Sequence, residues 1–322
     1  MGSHLYDIII KNGLVFDGTR APRFRADIGL RDGVISALGY LEPGLGERVL
    51  DADGYHVAPG FVDLHTHYDA QLFWDPYCTL SGWHGITSVA IGNCGFGFAP
   101  VAPEARERAM LSMTRVEAIP LETMKAGLPW NWTTFPEFLD AVDQAPKALN
   151  ILPYIPLSPL LIWVMGFDDA KAGRKPTDAE HEELRRLIHV CMDAGACGWS
   201  AQRMLPTGPA AVQRDFDGTP MPTDVMHDDT CRLLASVLAE RNEGFIQMLL
   251  VSGDNEHDRL FYEELATISG RPVLMNVVQA FDDRPHIHRH TLRWLRSCYE
   301  RGIRVIGQGL TTDAGFTFTF ED

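Results

Sequence analysis

The order of apolar runs predicts an α/β fold: a TIM-like (β/α)8 barrel, lacking its last strand, preceded by a small β unit. Three observations carry this. From residue 57 onward, short apolar runs alternate with helical stretches, the pattern that builds a parallel sheet. About seven such repeats favour a barrel over a doubly wound sheet, and no glycine fingerprint follows the first strand. The first 56 residues read as strands and turns instead. The predicted division is therefore 1–56 for the β unit and 57–322 for the barrel.

Taking the elements in order, Met1-Gly-Ser-His4 reads as a leftover tag, so His4 is set aside as a metal ligand. Strands are predicted at Asp7-Ile-Ile-Ile10, Gly13-Leu-Val-Phe16, Ala26-Asp-Ile-Gly-Leu30 and Gly33-Val-Ile-Ser-Ala-Leu38. Asn12-Gly13, Asp17-Gly18 and Asp32-Gly33 are the turns between them, making an antiparallel unit. Barrel strands are predicted over 57–64, 86–91, 150–155, 196–201, 245–251, 273–278 and 303–306. Helices are predicted over 104–116, 135–142, 177–194, 228–241, 258–269 and 290–301. Thr177-Asp-Ala-Glu180 fits a capping box at the start of the third of these. Phe316-Thr-Phe-Thr-Phe320 runs almost to the last residue, Asp322, with Glu321 alone between them, which reads as an incomplete chain.

The chemistry is concentrated at two strand ends. In Pro59-Gly-Phe-Val-Asp-Leu-His65-Thr-His67, strand alternation would point His65 and His67 the same way, placing two imidazoles to grip one divalent metal. Ile91-Gly-Asn-Cys94-Gly-Phe-Gly-Phe98 closes the next strand. Cys94 there is either a soft thiolate ligand for zinc or a buried small hydrophobe. In a barrel both motifs lie on the C-terminal, active face.

These two motifs, with Gly195-Ala-Cys-Gly-Trp-Ser200, resemble the amidohydrolase superfamily, and within it the N-acyl-D-amino-acid deacylase (D-aminoacylase) branch. The resemblance implies a TIM-like barrel, a β-sandwich portion built from both chain ends, and zinc-dependent hydrolysis of an N-acyl-D-amino acid. By the same resemblance His65 and His67 match two metal ligands, and Cys94 matches the cysteine that replaces a carboxylated lysine. The sequence departs from the family where further histidine ligands are expected. The fifth strand carries Gln247 and the sixth Asn276 and Gln279, amides that bind zinc poorly but hydrogen-bond well. The expected general-base aspartate would lie beyond Asp322, and Asp313 imitates it weakly. The motifs present therefore imply one zinc ion at most.

Lesser candidates follow. Arg203 could hold a substrate carboxylate by a forked pair of hydrogen bonds, or be an ordinary loop arginine. Tyr154 lines the pocket or belongs to the core. Gln247 and Asn276 are read as substrate-binding. Asp69 orients a ligand imidazole or caps its loop. His286-Ile-His-Arg-His290 looks like a second metal box but is read as a solvated loop, and Trp130-Asn-Trp132 as a loop anchor.

A net charge of −15 argues against a general nucleic-acid binder. No apolar run reaches membrane-spanning length, so no membrane partner is expected. Six cysteines without a paired spacing point to reduced thiols and the cytoplasm. The expected partner is a small-molecule amide, and a homo-oligomer is left open. The leading function is a zinc-dependent amidohydrolase. The alternatives are a cyclic-amide or lactone hydrolase of the same superfamily, and a non-catalytic relative with a degenerate metal site.

Overall fold

The computed structural model describes residues 4–204 and 214–310. It contains two compact units, one ending at Phe61 and the other beginning at Val62.

In the first unit, β1 (Tyr6–Val15), β2 (Phe24–Arg31), β3 (Val34–Gly39) and β4 (Gly46–Asp51) form a sheet in the order β3-β2-β1-β4, with β5 (His56–Val57) also paired to β1. Asp32 and Gly33 both take positive φ (51° and 75°), which suits the tight hairpin between β2 and β3. Two expectations change here. Asn12-Gly13 is not a turn: the two predicted strands around it are one strand, whose register with β2 shifts between Ile10 and Gly13. Nor is the sheet wholly antiparallel, because β4 and β5 run parallel to β1.

A buried ion pair holds this sheet. Lys11 Nζ donates to Asp27 Oδ2 and to the Leu41 carbonyl, both at 2.6 Å, and Asp27 accepts the backbone N–H groups of Asn12 and Leu41. Burial alone would push the Asp27 carboxyl up, but the Lys11 ammonium and the two N–H groups outweigh it and leave it below its usual range. A depressed carboxyl contributes stability above its unfolded pKa of about 4 and loses it as pH falls through the folded value. Asp27→Asn should therefore lower stability at neutral pH and flatten the acid limb of unfolding. Denaturant midpoints measured from pH 7 to pH 2 check this, and an unchanged acid limb would contradict it.

In the second unit, β6 (Phe61–Asp63), β7 (Ile86–Ile91) and β8 (Asn150–Pro153) form one sheet. The strands β9 (Ile155–Pro156), β10 (Gly198–Met204), β11 (Phe245–Val251), β12 (Val273–Val278) and β13 (Val305–Gly309) form a second, parallel throughout. The helices between them are α1 (Arg106–Glu117), α2 (Leu121–Gly127), α3 (Phe135–Gln144), α4 (Leu157–Met165), α5 (Phe167–Lys171), α6 (Asp178–Asp193), α7 (Asp228–Arg241), α8 (Asn255–Ser269) and α9 (Ile287–Glu300). Thr177 and Glu180 form the predicted capping box, and Thr134 and Glu137 form another at α3.

The closed barrel is not established. The described strands lie side by side in chain order, but in two separately bonded sheets. The predicted third strand is split at Tyr154, whose N–H turns back to the Ile91 carbonyl. The predicted first strand is also broken: Pro59-Gly60 separates β5 from a short β6, as expected of a residue that cannot donate to a ladder. Helices α2, α4 and α5 were not predicted. Leu157-Ser-Pro-Leu-Leu-Ile-Trp-Val-Met165 is apolar on nearly all sides and mostly buried, so it lacks the polar face that marks a helix in sequence.

Candidate metal centre

The site is built from the ends of β6 and β7. Beyond Asp63 the backbone leaves the strand in a turn in which Asp63 Oδ1 accepts the His65 N–H at 3.0 Å. The histidines thus sit in a loop, not on the strand as predicted, yet still face one another. Thr66 between them is buried and donates its N–H and its hydroxyl to the Ala90 carbonyl (3.1 and 2.7 Å). Asn93 Nδ2 donates to the carbonyls of Thr66 and Ala90, both at 3.0 Å, tying the first loop to the second.

The second loop is tightly constrained. Gly92, Cys94 and Gly95 all have positive φ (73°, 59° and 77°), a region that costs a cysteine energy. Ser200 of β10 bridges the turn, donating to the Gly92 carbonyl and accepting the Gly95 N–H. Gln247 of β11, fully buried, accepts the Cys94 N–H through Oε1 at 2.7 Å. Replacing Gln247 by leucine strands that N–H, which should cost about 1–3 kcal/mol. Urea unfolding of the metal-free protein measures this, and a change under about 0.5 kcal/mol would refute the role.

The result is a converging donor set. His65 Nε2 lies 3.3 Å from His67 Nε2 and 3.4 Å from Cys94 Sγ. Among the described residues these are the ligand-type side chains that gather, with donor atoms within 4.8 Å of one another. Zinc held tetrahedrally by nitrogen and sulfur at roughly 2.0–2.3 Å would space its ligands by roughly 3.3–3.6 Å. The donors present fit a zinc ion.

The surroundings fit one too. His65 Nδ1 faces Gln308 Oε1 of β13 at 3.2 Å and the Asn276 amide of β12 at 2.7 Å. A proton on Nδ1 shared with an amide oxygen frees Nε2 as the ligating nitrogen. Burial holds His67 neutral, with a pKa of about 3, helped by neighbouring His65; it also lowers His65, opposed by Gln308 and Asn276. The Cys94 thiol is pushed far up by burial and by the Glu117 charge. Glu117 Oε1 lies 3.4 Å from His67 Nε2, and its carboxyl is raised to about 8 by burial and by Asp69. Asp69, 1 % exposed, is raised to about 7 by burial against the pull of its own and Gly92's backbone N–H groups. Among the described residues no Lys or Arg pairs with this cluster, so its groups lack positive charge.

The remaining candidates fall as follows. Arg203 donates to Asp228 Oδ1 and the Met226 carbonyl, both at 2.7 Å, so part of its fork is already occupied. Tyr154 is buried, edge-on to Phe245, with its hydroxyl unpartnered. Gln247 contacts Cys94 and Asn276 contacts His65. Trp132 is buried, donates to the Phe98 carbonyl at 2.8 Å and stacks on Phe73, anchoring its loop. His286, His288 and His290 gather no ligand cluster among the described residues, and Asp313 lies outside them. Sequence reasoning missed Glu117 and Gln308. Neither stands in a motif, and only the folded backbone brings them to the histidines.

A hollow of about 340 Å³ opens over His65, His67, Tyr68 and Glu117. A separate cavity of about 440 Å³, mainly apolar, is lined by Phe96, Val101, Ile162, Trp163 and Phe167. Phe96 of this cavity has its ring 6.2 Å from that of His67, which lines the hollow.

The model of the Amidohydrolase family matches residues 48–188, the stretch that holds both histidines and Cys94. Over that stretch, under half of its length, the chain is similar to the amidohydrolase family. An uncharacterized protein of Mycobacterium tuberculosis is 38% identical over 200 residues, 61% of this chain and 32% of that protein. The N-acyl-D-aspartate deacylase of Alcaligenes xylosoxydans xylosoxydans is 35% identical over 205 residues, 64% of this chain and 38% of that enzyme. Among solved structures, N-acyl-D-glutamate deacylase from Bordetella bronchiseptica, complexed with zinc and a phosphonate inhibitor, superposes with a TM-score of 0.70 at 26% identity. That match covers 93% of this chain and 57% of the other. A D-aminoacylase with a binuclear metal centre gives a TM-score of 0.71 at 25% identity over the same shares of the two proteins. The chain thus matches less than two thirds of the length of these relatives.

Proposed function

We propose that this protein is a zinc-dependent amidohydrolase that cleaves the amide bond of an N-acyl amino acid, of D configuration as in its named relatives. The convergence of His65, His67 and Cys94 carries this reading. His65, His67 and Cys94 would hold the ion, which when bound supplies an acidified water and polarises the amide carbonyl. Gln308 and Asn276 hold His65 in the ligating orientation, and Gln247 and Ser200 hold the Cys94 turn. We assign Gln247 and Asn276 to this support in preference to substrate binding. Phe96 and the cavity beyond it offer an apolar wall for an acyl group or an apolar substituent, keeping bulk water from one flank of the site. All six cysteines are free, which supports a reducing, cytoplasmic setting.

The test is a substrate panel on the zinc-loaded protein: N-acetyl-D-amino acids with acidic and apolar side chains, their L enantiomers, and hydantoins. Cleavage of the acyclic substrates of D configuration is expected. Cleavage of the cyclic amides alone would move the assignment to that class, and a zinc-loaded protein inert to the whole panel would end the hydrolase reading.

A further inference from the structure

Glu117 is a poorly placed carboxylate unless a cation sits beside it. It is the last residue of α1, where the helix dipole is negative and acidic side chains are disfavoured. Its side chain is 24 % exposed, and the basic side chain beside it among the described residues is His67, at 3.4 Å and held neutral by burial. No Lys or Arg among the described residues reaches it. It lines the same hollow as both histidines. Meanwhile β11 and β12 offer Gln247 and Asn276 near the centre, both engaged in holding ligands.

We propose that Glu117 is the fourth protein ligand of the metal centre, taking the part that a histidine on β11 or β12 would otherwise play. The inference rests on the reading that His65, His67 and Cys94 bind zinc. The spacing supports it, since 3.4 Å from Glu117 Oε1 to His67 Nε2 is again within the roughly 3.3–3.6 Å edge of a zinc tetrahedron. Charge supports it as well. Two neutral imidazoles and one thiolate leave a divalent ion with a net positive charge in a largely buried place, and one carboxylate makes the centre neutral. Glu117 stands outside the compact group of three, so a change of its side-chain torsions completes the approach. Zinc tolerates a fifth donor, and such a set does not close the centre to solvent.

The experiment compares the full-length parent with Glu117→Gln, His65→Ala and Cys94→Ser. Zinc affinity is read by competition with a chromophoric chelator, and coordination by the visible and near-ultraviolet bands of the cobalt-substituted protein. Glu117→Gln should weaken zinc binding at least fivefold and alter the visible cobalt bands while keeping the near-ultraviolet thiolate band of Cys94. Metal-free Glu117→Gln should melt no lower than the parent, because the carboxylate has no charged partner to lose and the amide oxygen can keep its place beside the neutral His67. A loss smaller than fivefold, an unchanged cobalt spectrum, or a destabilised metal-free variant overturns the assignment. If His65→Ala and Cys94→Ser lose zinc while Glu117→Gln does not, only the Glu117 assignment fails. If all three bind as the parent does, the metal reading fails with it.

Discussion

Replacing His67 by alanine is expected to weaken zinc binding by about 100-fold or more, equivalent to about 2.7 kcal/mol, and to remove hydrolysis with it. The expectation follows from the small donor set. Three side chains converge, and losing one removes one of the few bonds that offset the cost of stripping the ion of water. Gln308→Ala serves as the graded comparison. It leaves every donor in place and removes a partner of His65 Nδ1, so a loss of about tenfold is expected, the low end for a group behind the ligands. Chelator competition at fixed pH measures both, because zinc must displace the Cys94 proton and its apparent affinity rises with pH. Parental affinity in His67→Ala would rule out a centre built on these histidines.

Gly198→Ala should destabilise the protein by about 4 kcal/mol, combining backbone strain with overpacking. Gly198 opens β10 opposite Phe245 of β11, at φ 138°, and a β-carbon built there would lie 1.8 Å from the Phe245 carbonyl oxygen. Two backbones would have to part, and these two strands carry Ser200 and Gln247, which hold the Cys94 turn. Thermal unfolding should show a fall of roughly 6 °C, along with weaker zinc binding. Gly218→Ala is the control: its φ of 79° is also positive, but nothing lies within 4 Å of the added carbon, so about 1 kcal/mol is expected. Equal effects at the two glycines would show that the close approach of the strands carries no special cost.

Much of the second unit was legible because local pattern and tertiary role agree. The predicted runs at 86–91, 245–251 and 273–278 coincide with β7, β11 and β12, and the predicted helix at 228–241 with α7. Amphipathic helices and apolar strands bounded by turn residues announce themselves in one dimension. Where the pattern was ambiguous the reading slipped. The wholly apolar α4 carried no period, Asn12-Gly13 looked like a turn and is a register shift, and Pro59 cut a strand that composition alone would have continued. The site was legible to the same degree: His65, His67 and Cys94 stand in motifs, whereas Glu117 and Gln308 do not.

By itself, then, the sequence determined the alternation of strand and helix and the identity of three soft or borderline donors, because both are written in residue type and short spacing. Only the tertiary structure decided that those donors meet. Thr66 and Asn93 lock two loops whose donor side chains, His65 and Cys94, stand 29 residues apart in sequence. Partners 153, 211 and 243 residues away, Gln247, Asn276 and Gln308, hydrogen-bond to Cys94 and His65. Hydrogen bonds and charges act through space over a few ångströms. Their contribution becomes visible once the backbone has brought distant segments that close.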